Sequence, residues 1–272
     1  EFGHIAARAG SEVCMIDRGE RPLKGFDADL VERLVARGEE VGVQLRRRTS
    51  LKSIKKDGTD FLVTVETGSE TKDLRADLVV QGAGRVAAID QLDLAAANVE
   101  AGDKGVAVNA YLQSTSNPKI YAAGDAADTQ GAPLTPVAVF EGKVAASNML
   151  KGNRTKPDYS GVPSAVFTVP ELTRVGMLEQ DAREAGHDIR VVENDTGDWY
   201  SNLRVGESCA ATKVIIDKDS DTILGAHLLG PEYGEIINFF GLAIRLGLTT
   251  SDLKKMVSVY PSVGSDLGSM LS

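Results

Sequence analysis

The chain of 272 residues is poor in cysteine: it has two, Cys14 and Cys209, which lie far apart and in no paired motif. This usage excludes a scaffold held together by several disulfides. It fits a reducing compartment, so we expect a cytoplasmic protein. Cys14 falls in a predicted strand, where a small, buried, apolar side chain is the expected role. Nothing in the sequence predicts a metal site.

Long hydrophobic runs are also lacking. None approaches the roughly 20 residues that a membrane-spanning helix requires, so we expect no membrane partner. The net charge of −9 argues against a nucleic-acid partner and for a well-dispersed protein. The chain has no visible signal peptide, and it begins without methionine. At about 100–200 residues per domain, its length allows two domains.

The N-terminal segment alternates between helix and strand. Glu1–Ala9 is predicted as a helix that ends at Gly10, and Glu12–Asp17 is predicted as a strand. A helix that starts at residue 1 without a cap indicates that an upstream segment is missing. Asp27 is a candidate N-cap for a second helix. The apolar face of that helix carries Leu30, Val31, Leu34 and Val35.

Further strand-like pieces follow at QLRRRTSLKSIKKD, FLVTVET and RADLVVQGAG, the last of which ends in glycines. Two more are predicted at KGVAVNAYLQ and NPKIYAAGD. After them, TPVAVFEGKVAASNMLKG is predicted as a helix with Thr135 as N-cap. Alternation of this kind favours an α/β fold with a doubly wound sheet.

The C-terminal part has a different pattern. Lys151 to Pro163 is rich in Lys, Pro and Gly and is typical of a linker. The strand-like segments beyond it are SAVFTVPELTRVG, IRVVENDTG, CAATKVIID and TILGAHLLG. Helices are predicted at LEQDAREAG, EIINFFGLAIRLG and SDLKKMV. This order favours an α+β domain, in which an antiparallel sheet carries helices on one side.

One aspartate in the centre of the chain is a candidate ligand group. Asp125 follows Gly124 at the end of the run KIYAAGD, which we expect to be a buried strand. A buried, unpaired carboxylate is costly, so a carboxylate at such a strand end is better explained as an acceptor of hydrogen bonds from sugar-type hydroxyls. The alternative is an ordinary strand-to-turn junction.

The segment STSNPKIYAAGDAAD, followed at short distance by TPVAVFEG, resembles the second flavin-binding motif of a known family. The family is that of the FAD-dependent pyridine nucleotide-disulfide oxidoreductases, which includes glutathione reductase, dihydrolipoamide dehydrogenase and mercuric reductase. The resemblance implies that Gly124 and Asp125 bind the ribityl chain of FAD. It also implies that the first turn of the later helix faces the flavin ring with its positive end. That turn holds Thr135, Pro136, Val137 and Ala138.

The same resemblance implies an NAD(P)H site in the N-terminal segment. Glu1 and Gly84, the latter in LVVQGAGR, are expected at the cofactor, and Asp17 is expected to read the ribose of the adenine nucleotide. NADP-using members carry basic residues where Arg18 and Lys24 stand, whereas NAD-using members carry an acid at the place of Asp17. NADP is slightly favoured, because two cations pair with a 2′-phosphate. NAD stays open, as does a role of the two cations as solvated surface charges.

The resemblance covers essentially the whole chain and implies three parts. These are a truncated NAD(P)-binding domain (1–86), a central FAD-contacting segment (87–157) and a dimerisation domain (158–272). It implies a C-terminal fragment that lacks the family's N-terminal FAD domain and any redox cysteine pair. We expect a homodimer through the C-terminal domain. The apolar stripe expected to serve both core and subunit interface is Ile236, Ile237, Phe240, Ala243 and Ile244.

The family ends with His-Pro-Thr followed closely by a glutamate, and its histidine handles the proton of the reacting thiol. Here VYPSVGSDL puts Tyr260 in the place of the histidine, and Ser265, then Asp266, near that of the glutamate. Tyr260 is the candidate catalytic residue, although a tyrosine with a pKa of about 10 is a poor base at neutral pH. It can still donate a hydrogen bond to a thiolate, a peroxide or an oxyanion. His227, in GAHLLG, is predicted to be a strand residue.

The sequence therefore predicts part of a flavoprotein that transfers hydride from NAD(P)H to FAD and passes electrons to a small disulfide or another acceptor. We expect the fragment alone to be inactive. Two alternatives stay open. One is a flavin-dependent NAD(P)H oxidase or peroxide reductase without thiol exchange, and the other is a non-catalytic dimerisation or interaction protein that kept the fold.

Overall fold

The computed structural model describes all 272 residues and divides into two compact units. The first unit joins Glu1–Val80 to Pro163–Ser272, and the second unit is Gln81–Val162. The predicted division into three domains stays a prediction. None of the helices combines the length and the apolar character that crossing a membrane would take.

The first unit opens with a helix, a parallel strand pair and the helix that connects the pair. Helix α1 (Phe2–Arg8) is followed by Gly10, which has a φ of 95°, and by strand β1 (Val13–Ile16). Helix α2 (Ala28–Glu40) leads to β2 (Val43–Arg46), which pairs with β1 in parallel. This is the β–α–β arrangement that the alternating pattern predicted.

The start and the buried face of α2 confirm the sequence prediction. The carboxylate of Asp27 accepts hydrogen bonds from the amides of Asp29 and Leu30, at 3.1 and 3.2 Å, and so caps the helix. Leu30, Val31 and Leu34 are buried in a cluster shared with strands of the C-terminal part of the same unit. The helix is thereby fixed both at its first turn and along its apolar face.

Three antiparallel strands follow: β3 (Thr49–Asp57), β4 (Asp60–Thr67) and β5 (Glu70–Ala76). The sequence did not predict β5, because ETKDLRA is largely charged and has little apolar alternation. The apolar strand predicted at RADLVVQGAG is wrong beyond Ala76. Leu78 is 74% exposed there and no strand of the chain pairs with this stretch, so its backbone has no partner with which to form a ladder.

The second unit contains a small sheet and one long helix. Its strands are β6 (Ala101–Gly102), β7 (Gly105–Ala107) and β8 (Ala127–Asp128), and its helix is α3 (Thr135–Lys151). Of the two strands predicted here, KGVAVNAYLQ contains β7, whereas NPKIYAAGD forms only one isolated bridge, from Tyr121 to Gln113. The second segment has a proline without an amide hydrogen and a run of Ala and Gly, which offers little to a sheet.

The start of α3 is shifted by one residue from the prediction. The N-cap is Leu134 and not Thr135, which is the first helical residue. Pro136 lies in the first turn, where its missing amide hydrogen costs no intrahelical bond. Val144 and Ala145 pack against Leu112 in the apolar core of the unit.

The C-terminal part of the first unit is a sheet of five antiparallel strands with helices. The strands are β9 (Ser164–Val166), β10 (Glu171–Gly176), β11 (Ile189–Asp195), β12 (Ala211–Asp217) and β13 (Ile223–Gly230), in the spatial order β11-β12-β13-β10-β9. The helices are α4 (Glu179–Glu184), α5 (Tyr200–Leu203), α6 (Tyr233–Leu246) and α7 (Thr250–Leu253). The predicted α+β architecture is confirmed.

Helix α6 has apolar residues on two faces. Four residues of the predicted stripe, Ile236, Ile237, Phe240 and Ala243, lie buried in the core of their own domain against the sheet, and Ile244 is partly buried beside them; a role of the stripe in a subunit interface stays a prediction. The sheet offers α6 enough apolar side chains to cover most of that face. The exposed apolar residues of α6 are Phe239, Leu242 and Leu246, whose spacing of three and four places them on one stripe.

Candidate functional site

The second unit contains a cavity of about 360 Å³ beside the start of α3. A volume of about 300–1,000 Å³ is typical of sites for small molecules. Of the predicted cofactor residues, Gly124, Asp125 and Val137 line it. The others in this unit, Gly84, Thr135, Pro136 and Ala138, do not. Its charged side chains are Arg85, Asp103, Lys104, Asp125, Asp128 and Glu141.

Asp125 lies in a single 3₁₀ turn, Gly124–Ala126, and its side chain is 49% exposed. The expected burial at a strand end is therefore wrong, because the chain before it forms no regular strand and β8 comes after it. One carboxylate oxygen lies 3.4 Å from Nη2 of Arg85, and that nitrogen also donates to the carbonyl of Pro133 at 2.8 Å. The carboxylate thus lines the cavity while it remains within reach of solvent.

The first turn of α3 reaches the cavity wall through Val137. No side chain caps this turn, and the first amide with a helical partner is that of Ala138, which donates to the carbonyl of Leu134. Amides ahead of it carry the positive end of the helix dipole. Gly124 packs directly on this turn: it has a φ of 65°, and a Cβ there would lie 2.8 Å from the Cβ of Ala138.

Glu141 is a residue of the cavity that sequence reasoning missed. Its side chain is fully buried and accepts three hydrogen bonds: from the amide of Gly124 at 2.6 Å, the hydroxyl of Thr129 at 2.8 Å and the phenol of Tyr159 at 2.6 Å. The available signal is an acidic residue on the apolar side of a helix, which the sequence alone does not distinguish from a solvated one. The buried carboxylate connects α3 to the turn that carries Asp125.

Three of the predicted nucleotide-binding residues of the first unit, Asp17, Arg18 and Lys24, lie close together. Oδ1 of Asp17 accepts a hydrogen bond from the amide of Gly19 at 2.6 Å. A Cβ at Gly19 would lie 3.0 Å from that oxygen and 3.3 Å from Cε of Lys24, so both side chains flank this glycine. Arg18 is exposed beside them. Arg21 supports the loop by donating to the carbonyls of Phe26 and Lys24, at 3.0 and 3.3 Å.

The other two predicted nucleotide-binding residues, Glu1 and Gly84, do not belong to this group. The carboxylate of Glu1 accepts a hydrogen bond from the amide of Phe167 at 2.8 Å, so it is engaged within the chain. Gly84 is exposed with a φ of 109°, a conformation that suits glycine, and a Cβ there would meet no atom within 4 Å.

Tyr260 is 75% exposed and stacks on Tyr200, with ring centroids 6.5 Å apart and an interplanar angle of 27°. Asp266 does not pair with it: its carboxylate accepts the hydroxyl of Ser201 at 2.5 Å, and burial raises the pKa of Asp266. Ser265 donates to the carbonyl of Ser262. The structure therefore assembles no acid–base pair at Tyr260.

His227 lies in β13 as predicted and takes no part in a site on the surface. Its ring is buried, and Nε2 lies 2.9 Å from the carbonyl oxygen of Met177. Burial lowers the pKa of His227, which favours the neutral ring.

The class of the protein follows from the fold and these sites. The profile of the pyridine nucleotide-disulphide oxidoreductases matches residues 1–142, and that of their dimerisation domain matches residues 162–270. The chain belongs to the pyridine nucleotide-disulphide oxidoreductase family, whose members are flavoproteins that use NAD(P)H. The family resemblance seen in the sequence is confirmed.

Particular relatives are similar over much of the chain. An uncharacterised 19.7 kDa protein in a mercuric resistance operon of Staphylococcus aureus is 51% identical over 180 residues, which is 66% of this chain and 100% of that protein. Mercuric reductase of Bacillus cereus is 31% identical over 268 residues, 98% of this chain and 42% of the reductase. The Cu(II) complex of the HOCl-induced flavoprotein disulfide reductase RclA from Escherichia coli superposes with a TM-score of 0.89 at 26% identity, over 99% of this chain and 60% of that one. The chain thus spans less than two thirds of these two enzymes.

The pKa of Tyr159 depends on its contact with the buried carboxylate of Glu141. Burial and the hydrogen bond to Glu141 raise the pKa of Tyr159 to about 12. Because this lies above the unfolded value of about 10, the stabilisation by the neutral phenol is complete below a pH of about 10 and is lost as the pH rises through about 12. We expect ultraviolet titration of the six tyrosines to show a step near pH 12 that is one tyrosine smaller in Tyr159→Phe; Tyr233, whose pKa burial also raises, remains in both.

The exposed ring of Tyr200 provides the control for this titration, since Tyr200→Phe leaves the step near pH 12 in place. If the difference between wild type and Tyr159→Phe were centred near pH 10, the ordinary value for a tyrosine, the phenol would not be held as described.

Proposed function

We propose that this chain supplies part of the FAD site, an NAD(P)H-reading loop and the dimerisation surface of a flavoprotein that passes hydride from the nicotinamide to FAD and electrons on to a disulfide-type acceptor. One observation carries the proposal: the carboxylate of Asp125 and the uncapped first turn of α3 meet at one cavity in the second unit. A polyol chain needs a hydrogen-bond acceptor such as the carboxylate, an anionic ring needs the positive end of a helix, and a ligand with both needs them side by side.

The residues of the cavity fit the cofactor. The exposed carboxylate of Asp125 can accept hydrogen bonds from the ribityl hydroxyls of FAD. Its ion pair with Arg85 lies on the surface, where such pairs contribute about 0–1 kcal/mol, so hydroxyl groups can replace it at little cost. The amides that open α3 stabilise negative charge placed at the helix end. Bound FAD supplies the two-electron acceptor for the hydride.

For the nucleotide we favour NADP over NAD. Lys24 and Arg18 stand on the loop after β1 and can pair with a 2′-phosphate, as two cations do more effectively than one. The acid that would oppose the phosphate, Asp17, already accepts the amide of Gly19. That hydrogen bond directs one carboxylate oxygen into the loop and leaves Lys24 on the exposed side of the same glycine.

The acceptor site supports a second candidate reaction. Thiol exchange requires a base that moves a proton, and Tyr260 is exposed, stacked on Tyr200 and unpaired with Asp266. Reduction of a mercuric ion to the metal takes two electrons and delivers no proton to the metal. A relative named mercuric reductase is 31% identical over 98% of this chain. A mercuric ion is therefore the second candidate acceptor beside a disulfide.

FAD binding tests the central observation. We expect the chain to quench the fluorescence of added FAD on binding, and Asp125→Asn to weaken that affinity about tenfold or more, since hydrogen bonds to a charged group contribute about 1.5–3 kcal/mol. Asp128→Asn is the matched control, because it removes the same charge from the same cavity. Equal losses in both variants, or no FAD binding by the wild type, would contradict the assignment.

A turnover assay tests whether the chain alone can reduce an acceptor. Cys14 and Cys209 are free thiols in separate parts of the fold, so the chain offers no dithiol for disulfide exchange. We expect purified chain with FAD and NADPH to reduce neither glutathione disulfide nor mercuric ion above the rate of a protein-free blank. Reduction of either acceptor would overturn the assignment to a partial enzyme. Peroxide formation without either acceptor would instead support an NAD(P)H oxidase.

The homodimer is proposed through the exposed stripe of α6 that contains Phe239, Leu242 and Leu246. We expect sedimentation of wild-type chain at twice its mass of 28.8 kDa, and of Leu242→Glu at the single mass, because a charge in an apolar interface is strongly unfavourable. Met149→Glu, at an apolar position on α3 that is 62% exposed against 52% for Leu242, provides the control and stays dimeric. A dimer in both variants would exclude this face of α6.

A further inference from the structure

Glu141 is a buried carboxylate without a cation. It accepts three hydrogen bonds, and no lysine or arginine forms an ion pair with it. Removing a carboxylate from water is strongly unfavourable unless it is paired or fully hydrogen-bonded, so the fold tolerates this charge only while all its donors stay in place. A leucine or methionine would fill the same space on α3 without that requirement.

Two of the three donors belong to the segment that carries Asp125. Oε2 of Glu141 accepts the amide of Gly124, the residue immediately before Asp125, at 2.6 Å. Oε1 accepts the hydroxyl of Thr129, four residues after Asp125, at 2.8 Å. The carboxylate therefore holds both ends of the short segment 124–129, in which Asp125 stands near the first end.

The packing leaves this segment no room to move towards α3. A Cβ at Gly124 would lie 2.8 Å from the Cβ of Ala138, and a Cβ at Gly131 would lie 2.6 Å from Oε1 of Glu141. Both distances are shorter than van der Waals contact. The segment lies against the helix at Gly124, the chain lies against Glu141 again at Gly131, two residues beyond Thr129, and the hydrogen bonds to Glu141 keep the segment there.

We propose that Glu141 is the positioning residue of this site, whose carboxylate holds Asp125 and the first turn of α3 in one fixed arrangement facing the cavity. It acts through Asp125 and does not itself need to touch the ligand. The identity of the ligand, a flavin with its polyol chain, rests on the proposed function; the clamping of the segment does not.

The chemistry of the clamp explains why an acid is needed. Three donors converge on two oxygens, and only a carboxylate offers acceptor sites on both. Glutamine has the same shape but is neutral: with its oxygen towards the amide of Gly124, its NH₂ group donates to the hydroxyls of Thr129 and Tyr159, which then accept. Glu141→Gln therefore replaces charge-assisted hydrogen bonds by weaker neutral ones without a large change of volume.

Hydrogen exchange of the chain without flavin tests the clamp directly. We expect Glu141→Gln to speed amide exchange in peptides covering residues 123–131 about tenfold or more, as the weakening of hydrogen bonds that lose their charged acceptor implies. Glu100→Gln, an exposed acid of the same unit, leaves these rates unchanged. Exchange in Glu141→Gln at the wild-type rate, with an intact thermal transition, would overturn the proposal.

A second variant covers the case in which Glu141→Gln does not fold. Thr129→Val removes one donor and leaves the amide of Gly124 and the phenol of Tyr159 in place. We expect it to speed exchange at residues 128–130 severalfold; Gly131 is left out because its amide donates to the same hydroxyl, at 3.1 Å. Unchanged exchange in Thr129→Val would equally overturn the proposal, because the second end of the segment would then not depend on the carboxylate.

A double-mutant cycle separates positioning from a general loss of stability. We expect Glu141→Gln to weaken FAD binding about tenfold, and the double variant with Asp125→Asn to bind no more weakly than Asp125→Asn alone, because the two residues act in series. Independent, multiplied losses would refute the action through Asp125. If wild type bound no FAD while the exchange result held, the proposed function would fail and the clamp would stand.

Discussion

A single uncompensated charge inside the second unit organises most of what surrounds it. Since no cation neutralises Glu141, its desolvation must be offset by donors in fixed positions, and they come from the turn before β8, the segment after it and the chain that follows α3. Asn148, two helical turns further along the same helix, repeats the pattern: its buried amide group binds the carbonyls of Tyr111 and Thr155. Between these two polar positions lie the apolar contacts of α3. The unit is thus held by a helix with directional polar contacts, in a region too small to rely on an apolar core.

The first unit contains a buried cation, and carboxylates compensate its charge. Lys213, on β12, is almost fully buried and lies 3.1 Å from Asp27 and 2.6 Å from Asp29, both at the start of α2. Burial alone would lower the pKa of Lys213, but hydrogen bonds to Asp29 and Asp27 raise it, so the ammonium stays charged. Asp27 also caps α2. The cluster of Asp27, Asp29 and Lys213 therefore fixes where α2 begins and attaches α2 to the C-terminal sheet. These two constraints also position the loop after β1, which leads into α2.

What the sequence could predict depended on how local the physical signal was. Helix α2 could be predicted because its cap and its apolar spacing both lie within a few consecutive residues. Membership of the family was recognised from two short motifs at a fixed spacing. Strand β5 was missed and the stretch after Ala76 was misassigned, because a strand exists only with a partner and sequence alone does not show the partner. Asp125 was expected to be buried because the preceding run looked like a strand. Glu141 was overlooked because an acid in a helix is usually on the surface, and only packing shows otherwise.

The contact between Gly124 and Ala138 has a consequence for how such sequences can diverge. Each residue occupies the space into which the other would grow, and Gly124 also has a φ of 65° that side chains rarely adopt. A mutation at either position is therefore tolerated only if its counterpart stays minimal. Over evolutionary time we expect substitutions at these two positions to be correlated and insertions between them to be rare, so that variation accumulates in the exposed turns elsewhere in the chain.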